Sequence, residues 1–189
     1  MLKIIGGKHR GRPLATPEGL ATRPTAARAR EALFNVLMHA KWRGDGTSPL
    51  IDARVLDAFA GSGALGLEAL SRGAAHATFL DNDATAVKSI GENLRKLGET
   101  AAAKVVRADA TRPPPGRDAC DLVFLDPPYR SGQAGPALAA LAAAGWLTPD
   151  AVATVELAHN EDMVAPEGFE AVDERRYGAA KIVILKRTP

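Results

Sequence analysis

The stretch Val55-Leu56-Asp57-Ala58-Phe59-Ala60-Gly61-Ser62-Gly63-Ala64-Leu65-Gly66 decides the fold. Its first half, residues 55–59, is a short apolar run that reads as a buried strand. Gly61, Gly63 and Gly66 then match Gly-x-Gly-x-x-Gly, and Ala64 to Ser71 reads as a helix. Working outward, short apolar runs at 77–80, 104–107, 121–125 and 151–157 read as further strands. Helical patterns fill 84–97 and 136–144, and Phe169 to Lys186 reads as a hairpin turning near Tyr177-Gly178. Strand–helix alternation of this kind predicts an α/β doubly wound sheet. Such sheets bind ligands at the carboxyl ends of their strands.

Upstream of this unit the composition changes. Residues 1–24 are rich in Gly, Pro and basic residues and predict a small hairpin-forming arm. Pro24 and Thr25 then open a helix whose Ala29, Leu33, Val36, Leu37 and Ala40 share one face. We divide the chain into a basic arm and helix, 1–43, and a catalytic domain, 44–189. The net charge of +2 is unevenly spread: residues 1–43 hold nine Lys or Arg against Glu18 and Glu31. A basic arm on a mildly acidic body predicts a polyanionic partner. The 189 residues are 46% hydrophobic and 24% charged, with no apolar run long enough for a membrane span. A monomer in the cytoplasm, with no membrane contact, is expected. The single cysteine, Cys120, excludes an intrachain disulfide and reads as a core residue. His9, His39, His76 and His159 show no metal-ligand spacing, so no metal is expected.

The glycine loop admits two cofactors. Asp81 follows Gly61 by 20 residues, which at face value is the fingerprint of a dinucleotide and of a nicotinamide oxidoreductase. Asp57 separates the alternatives. It lies at the end of the first strand, facing the loop, where its carboxylate repels a pyrophosphate. S-adenosylmethionine has no phosphate and carries a sulfonium and an ammonium, which a carboxylate suits. The glycines then allow close backbone approach, with Phe59 and Ser62 beside them. Asp81 can accept the ribose hydroxyls, and Asp109, after the third strand, can accept the adenine amine.

Asp126-Pro127-Pro128-Tyr129 directly follows the strand at 121–125, on the same sheet edge. An exocyclic base amine is a poor nucleophile because its lone pair is delocalised into the ring. Two acceptors around its N–H groups favour a pyramidal nitrogen. The Asp126 carboxylate and the Pro127 carbonyl are those acceptors, the latter pre-aimed by two prolines. Tyr129 offers a flat face for a base removed from its stack.

These motifs, with Arg23-Pro24-Thr25, Arg28, Glu31, Leu33-Phe34-Asn35, Ile4-Ile5-Gly6-Gly7, Arg10-Gly11-Arg12 and Arg176-Tyr177-Gly178, closely resemble the RsmD family. That family comprises bacterial 16S ribosomal RNA guanine-N2 methyltransferases, and the resemblance runs nearly end to end. It implies a class I S-adenosylmethionine-dependent methyltransferase fold, Rossmann-like, with a seven-stranded sheet ending in an antiparallel hairpin. It implies cofactor contacts at Asp57, Gly61, Gly63, Asp81 and Asp109. It also implies catalysis at Asp126, with Tyr129 holding the base. Arg23, Thr25 and Asn35 resemble the part of the family that closes over the cofactor. Arg23 can pair with the methionine carboxylate or with an RNA phosphate. Lys8, Arg10, Arg12, Tyr129 and Arg130 are the expected RNA contacts, on naked 16S RNA or an assembling small subunit. Asp81 departs from relatives that often carry Glu there, yet still accepts hydroxyl protons. Guanine rests on the resemblance, since adenine N6 and cytosine N4 are also exocyclic amines. A non-catalytic RNA-binding protein is a further alternative, carried by the basic arm alone.

Overall fold

The computed structural model describes residues 1–17, 24–43 and 45–188, the side chains of residues 24–26 excepted. Its element order is α1 (Pro24–His39), β1 (Arg54–Ala58), α2 (Ala64–Ser71), β2 (His76–Asp81), α3 (Ala84–Leu97), β3 (Ala103–Arg107), β4 (Cys120–Leu125), α4 (Ala134–Ala143), β5 (Leu147–Ala158), β6 (Phe169–Tyr177) and β7 (Ala180–Arg187). The strands form one seven-stranded sheet in the order β3-β2-β1-β4-β5-β7-β6. β1 to β5 run parallel, and β7 is antiparallel between β5 and β6. The strand order reverses direction between β1 and β4. That is the switch point where a crevice opens outside the carboxyl ends.

Each strand sorts its side chains to two faces by alternation. Val55, Phe79, Leu122, Phe124, Val152 and Ile182 pack under α1, α2 and α3. Leu56, Leu80, Val123, Leu125, Val155 and Leu185 pack on the other side with Leu138 and Leu141 of α4. Parallel strands buried on both faces read as continuous apolar runs. Helix α3 is well punctuated: Asp83 accepts from Thr85 N–H at 2.8 Å, and Gly98 takes a left-handed φ of 74° at its end. Gly66 of α2 has a packing reason, because a Cβ there would lie 2.4 Å from the Phe79 ring.

The arm is bound closely to the body. Ile4 and Arg12 pair in a short hairpin, with Ile4 N–H donating to Arg12 C=O at 3.0 Å and Gly11 N–H to Ile4 C=O at 2.9 Å. Ile4 and Leu14 are buried in the same core as Phe34 and Leu37 of α1. The polar anchors are side chains of the body. Glu68, fully buried in α2, accepts from Ile5 N–H at 2.8 Å and Gly6 N–H at 2.7 Å. Ser71 accepts from His9 N–H at 3.0 Å, and Asn93 brackets the Ala15 peptide at 2.7 and 2.9 Å. Cys120 is fully buried, and desolvation pushes its thiol up to about 12, so it is an inert core residue. Among the described residues no helix is long and apolar enough to cross a membrane, and no His, Cys, Asp and Glu cluster could hold a metal ion.

Candidate active site

A cleft of about 770 Å³ opens at the switch point, walled by the glycine loop, the arm, α1 and the Asp126 loop. β1 supplies Asp57, which is 1% exposed and accepts the Gly66 N–H at 2.8 Å. Desolvation raises its carboxyl to about 8, opposed by the Gly66 hydrogen bond and reinforced by Asp81. Phe59 leaves the strand one residue earlier than its apolar run predicts. It takes φ 65°, a left-handed backbone that a bulky residue adopts at a cost of about 1–2 kcal/mol. That turn lets Phe59, Gly61 and Ser62 line the cleft. Gly63 instead takes φ 78° at the start of α2 and faces Ile90 and Phe79. Its contribution is to the turn.

β2 ends in Asp81, whose two oxygens accept Gly61 N–H at 2.8 Å and Asp83 N–H at 2.9 Å. The carboxylate keeps lone pairs toward the cleft that it lines. Asp109 lies outside this wall. It is exposed and closes a turn on Thr111, accepting from its N–H and Oγ1–H at 2.8 Å each, and those bonds hold its carboxyl below the usual range.

β4 delivers Asp126, Pro127, Pro128 and Tyr129 to the opposite wall of the same cleft. Asp126 is exposed on the cleft wall. Its carboxyl is raised well above the ordinary range, first by desolvation, then by the charges of Glu156 and Asp57. Tyr129 donates its hydroxyl to Glu156 at 2.7 Å. Arg130 carries φ 59°, and its N–H binds Glu161 at 2.9 Å, which anchors the loop end.

Other predicted residues fall elsewhere. Arg23 and the side chain of Thr25 lie outside the described residues. Asn35 is exposed, 3.5 Å from Arg72 and outside the cleft wall. From α1 the cleft instead receives Ala27 and Arg30, one turn apart. Lys8, Arg10 and Arg12 are exposed at the far tip of the arm. Lys8 pairs with Glu99 at 2.6 Å, and Arg12 donates to Lys96 C=O at 3.3 Å. That tip lies by the end of α2 remote from the glycine loop, about 12 Å along an eight-residue helix. These three side chains are therefore remote from a base in the cleft, within reach only of a more distant stretch of polymer.

Sequence reasoning missed Glu156 and Arg30. Glu156 is half-buried in β5 and lines the cleft beside Asp126. Desolvation raises its carboxyl, against the pull of Tyr129 and Arg30. Arg30 is 9% exposed; its Nη2 donates to Lys3 C=O at 2.7 Å, while its Nε lies 3.9 Å from Glu68 and has no hydrogen-bond partner among the described residues. The usable signal was a lone acid inside the apolar strand 151–157.

The donor set fits a cationic nucleoside better than a pyrophosphate. A dinucleotide would set its phosphates on the first N–H groups of α2. There the Gly66 N–H is already taken by Asp57. Two acidic side chains, Asp57 and Asp81, face that loop from below and beside it; a sulfonium or ammonium beside Asp57 would favour its ionised form against the desolvation that raises it, and Asp81 suits ribose hydroxyls.

The family model described as "Conserved hypothetical protein 95" matches residues 2–186. The ribosomal RNA small subunit methyltransferase D of Haemophilus influenzae is 38% identical over 184 residues, covering 94% of this chain and 89% of that protein. The protein of the same name from Escherichia coli K12 is 40% identical over 156 residues, covering 82% and 74%. The solved structure of YhhF from Escherichia coli superposes with a TM-score of 0.81 at 36% identity, covering 99% of this chain and 98% of that one. The sheet order, the terminal antiparallel hairpin and these neighbours identify a class I S-adenosylmethionine-dependent methyltransferase fold. With nearly its whole length matched by the family model and by relatives at this identity, the chain belongs to the RsmD family of methyltransferases.

Proposed function

We propose that the protein transfers a methyl group from S-adenosylmethionine to the exocyclic N2 amine of a guanine in small-subunit (16S) ribosomal RNA. The observation that carries this reading is the shared cleft. Asp57 and Asp81 face it from one side, and Asp126, Pro127 and Tyr129 from the other. The relatives named as ribosomal RNA small subunit methyltransferases support the RNA acceptor. When bound, S-adenosylmethionine supplies an electrophilic methyl group on a cationic sulfur. Asp57 holds the cationic end of that molecule, and Asp81 accepts from its ribose hydroxyls. Tyr129, fixed by its bond to Glu156, presents a ring against which the flipped base rests.

Asp126 and the Pro127 carbonyl take the two N–H groups of the amine. This turns the nitrogen lone pair toward the cofactor side of the cleft, an alignment effect combined with preorganised electrostatics. The raised carboxyl of Asp126 suits it to receive a proton when the amine becomes more acidic. The exposed bases of the arm tip, Lys8, Arg10 and Arg12, bind phosphates away from the reacting nucleotide.

Nucleoside analysis tests the reading directly. Labelled cofactor is incubated with 16S RNA, free and assembled with ribosomal proteins, and the RNA is digested. We expect label in N2-methylguanosine. Label in N6-methyladenosine or N4-methylcytidine overturns the base assignment. Absence of transfer to any RNA overturns the acceptor.

A further inference from the structure

The cleft holds a third acceptor that amine activation does not use. Asp126 and the Pro127 carbonyl account for the two N–H groups of an exocyclic amine. Glu156 stands beside them. The parallel register of β4 and β5 pairs Leu125 with Val155, so Asp126 and Glu156 are the next residues on neighbouring strands, with backbones about 4.8 Å apart. Val155 and Leu157 are buried on the α4 face, so alternation turns Glu156 to the other face and into the cleft. Tyr129 holds one oxygen, Oε1, at 2.7 Å. A carboxylate has about four lone-pair sites, so acceptor capacity remains. Desolvation raises the Glu156 carboxyl, and the Tyr129 hydrogen bond and the charge of Arg30 on the wall formed by α1 act against it.

An acceptor in that place discriminates between bases. The adenine N6 amine is flanked by the ring acceptors N1 and N7, and the cytosine N4 amine by the acceptor N3. A carboxylate beside either amine meets a lone pair. The guanine N2 amine is flanked by N1–H, a donor, on one side and by the acceptor N3 on the other, so only guanine offers a donor beside its amine. We propose that Glu156 selects the base by accepting guanine N1–H while N2 sits between Asp126 and the Pro127 carbonyl. This rests on the guanine-N2 reading above and assigns its specificity to one side chain. The selectivity is that of a site built to hydrogen-bond a substrate N–H, which rejects analogues lacking it because its own polar group is left unpaired.

The test replaces the base of the substrate. 2-Aminopurine keeps the N2 amine but carries an acceptor at N1. Small-subunit RNA is ligated from segments carrying either guanosine or 2-aminopurine riboside at the methylated position, assembled, and assayed for kcat/KM. The wild-type protein should prefer guanosine by about tenfold to hundredfold. In Glu156→Gln the amide can donate to the ring acceptor, so the preference should fall to about one or invert. The wild-type comparison needs no variant, and equal rates on the two substrates overturn the proposal whatever the variant does. A Glu156→Gln protein with lower rates but an unchanged preference also overturns it, and assigns Glu156 only to holding Tyr129. Because 2-aminopurine also lacks O6, the change in preference between the two proteins isolates the N1 contact. If wild type yields no N2-methylguanosine on the guanosine substrate, the guanine reading itself has failed and this inference with it.

Discussion

The two walls of the cleft carry the same chemistry under different restraint. On the glycine-loop wall, Asp57 is tied to Gly66 N–H, and Asp81 is tied to Gly61 and Asp83 N–H groups. On the other wall, among the described residues, Asp126 and Glu156 receive no backbone hydrogen bond, and Glu156 is held by the Tyr129 hydroxyl alone. Asp126 is exposed and Glu156 half-buried, so their free acceptor sites face the open cleft. On the proposed function, the tied pair is a rigid receptor for a cation. The untied pair is a set of acceptors suited to the N–H groups of a base. On the function proposed above, conformational restraint rather than residue type distinguishes the wall that binds the cofactor from the wall that reacts.

Four variants bear on this comparison. Asp126→Asn should produce the largest effect, a fall in kcat of about 10²–10³, the range for loss of one preorganised electrostatic contact. Because burial raises the Asp126 carboxyl, the acidic limb of the wild-type rate profile should lie above the ordinary carboxylate range, with activity rising as pH rises. A limb near pH 4 would contradict a raised Asp126 carboxyl. Next, Glu68→Ala removes the buried anchor of the arm and leaves Arg72 without its partner at 2.7 Å. A loss of about 3–5 kcal/mol, read by denaturant unfolding, is expected.

Asp57 gives a pH-dependent effect of opposite sign. Its folded pKa of about 8 lies above its ordinary value of 3.8. Protonation therefore favours the folded state, a contribution complete below the ordinary value and lost as pH rises through about 8. Asp57→Asn should raise the melting temperature of the free protein more at pH 8.5 than at pH 5. Equal effects at both pH values would show that the carboxyl is not desolvated. Smallest is the arm tip. Replacing Lys8, Arg10 and Arg12 with Ala should leave kcat unchanged while lowering the salt dependence of RNA binding, by about one unit of slope per lost phosphate contact. A fall in kcat would place the tip nearer the chemistry than its contacts with Glu99 and Lys96 allow.

The local parts of this molecule were legible in its sequence. Helices at 64–71 and 84–97 have the predicted bounds, because Gly63, Asp83 and Gly98 act within a few residues of where they stand. β5 runs longer than its apolar core, from Leu147 to Ala158, because pairing with β7 extends one end and a bulge opposite Cys120 and Leu122 accommodates the other. Asp57, Asp81 and Asp126 could be read as cleft residues because each stands within one residue of a strand end on the switch-point side. Glu156, Arg30 and Glu68 were not. Their meaning depends on which strand neighbours which and on where α1 and the arm cross the sheet. Asp109 and Asn35 show the converse: a strand-end acid and a helix polar residue that the packing keeps outside the cleft.

The most direct test sets the two walls against each other in one assay pair. S-adenosylhomocysteine binding by calorimetry and kcat on assembled small-subunit RNA are measured for Asp57→Asn and Asp126→Asn. The account predicts that Asp57→Asn weakens binding at least about tenfold, the loss of about 1.4 kcal/mol expected of a charge-assisted contact. It predicts that Asp126→Asn leaves binding within about twofold while kcat collapses, the mark of an interaction made only with the reacting group. Binding lost equally in both variants would contradict the division of labour between the two walls.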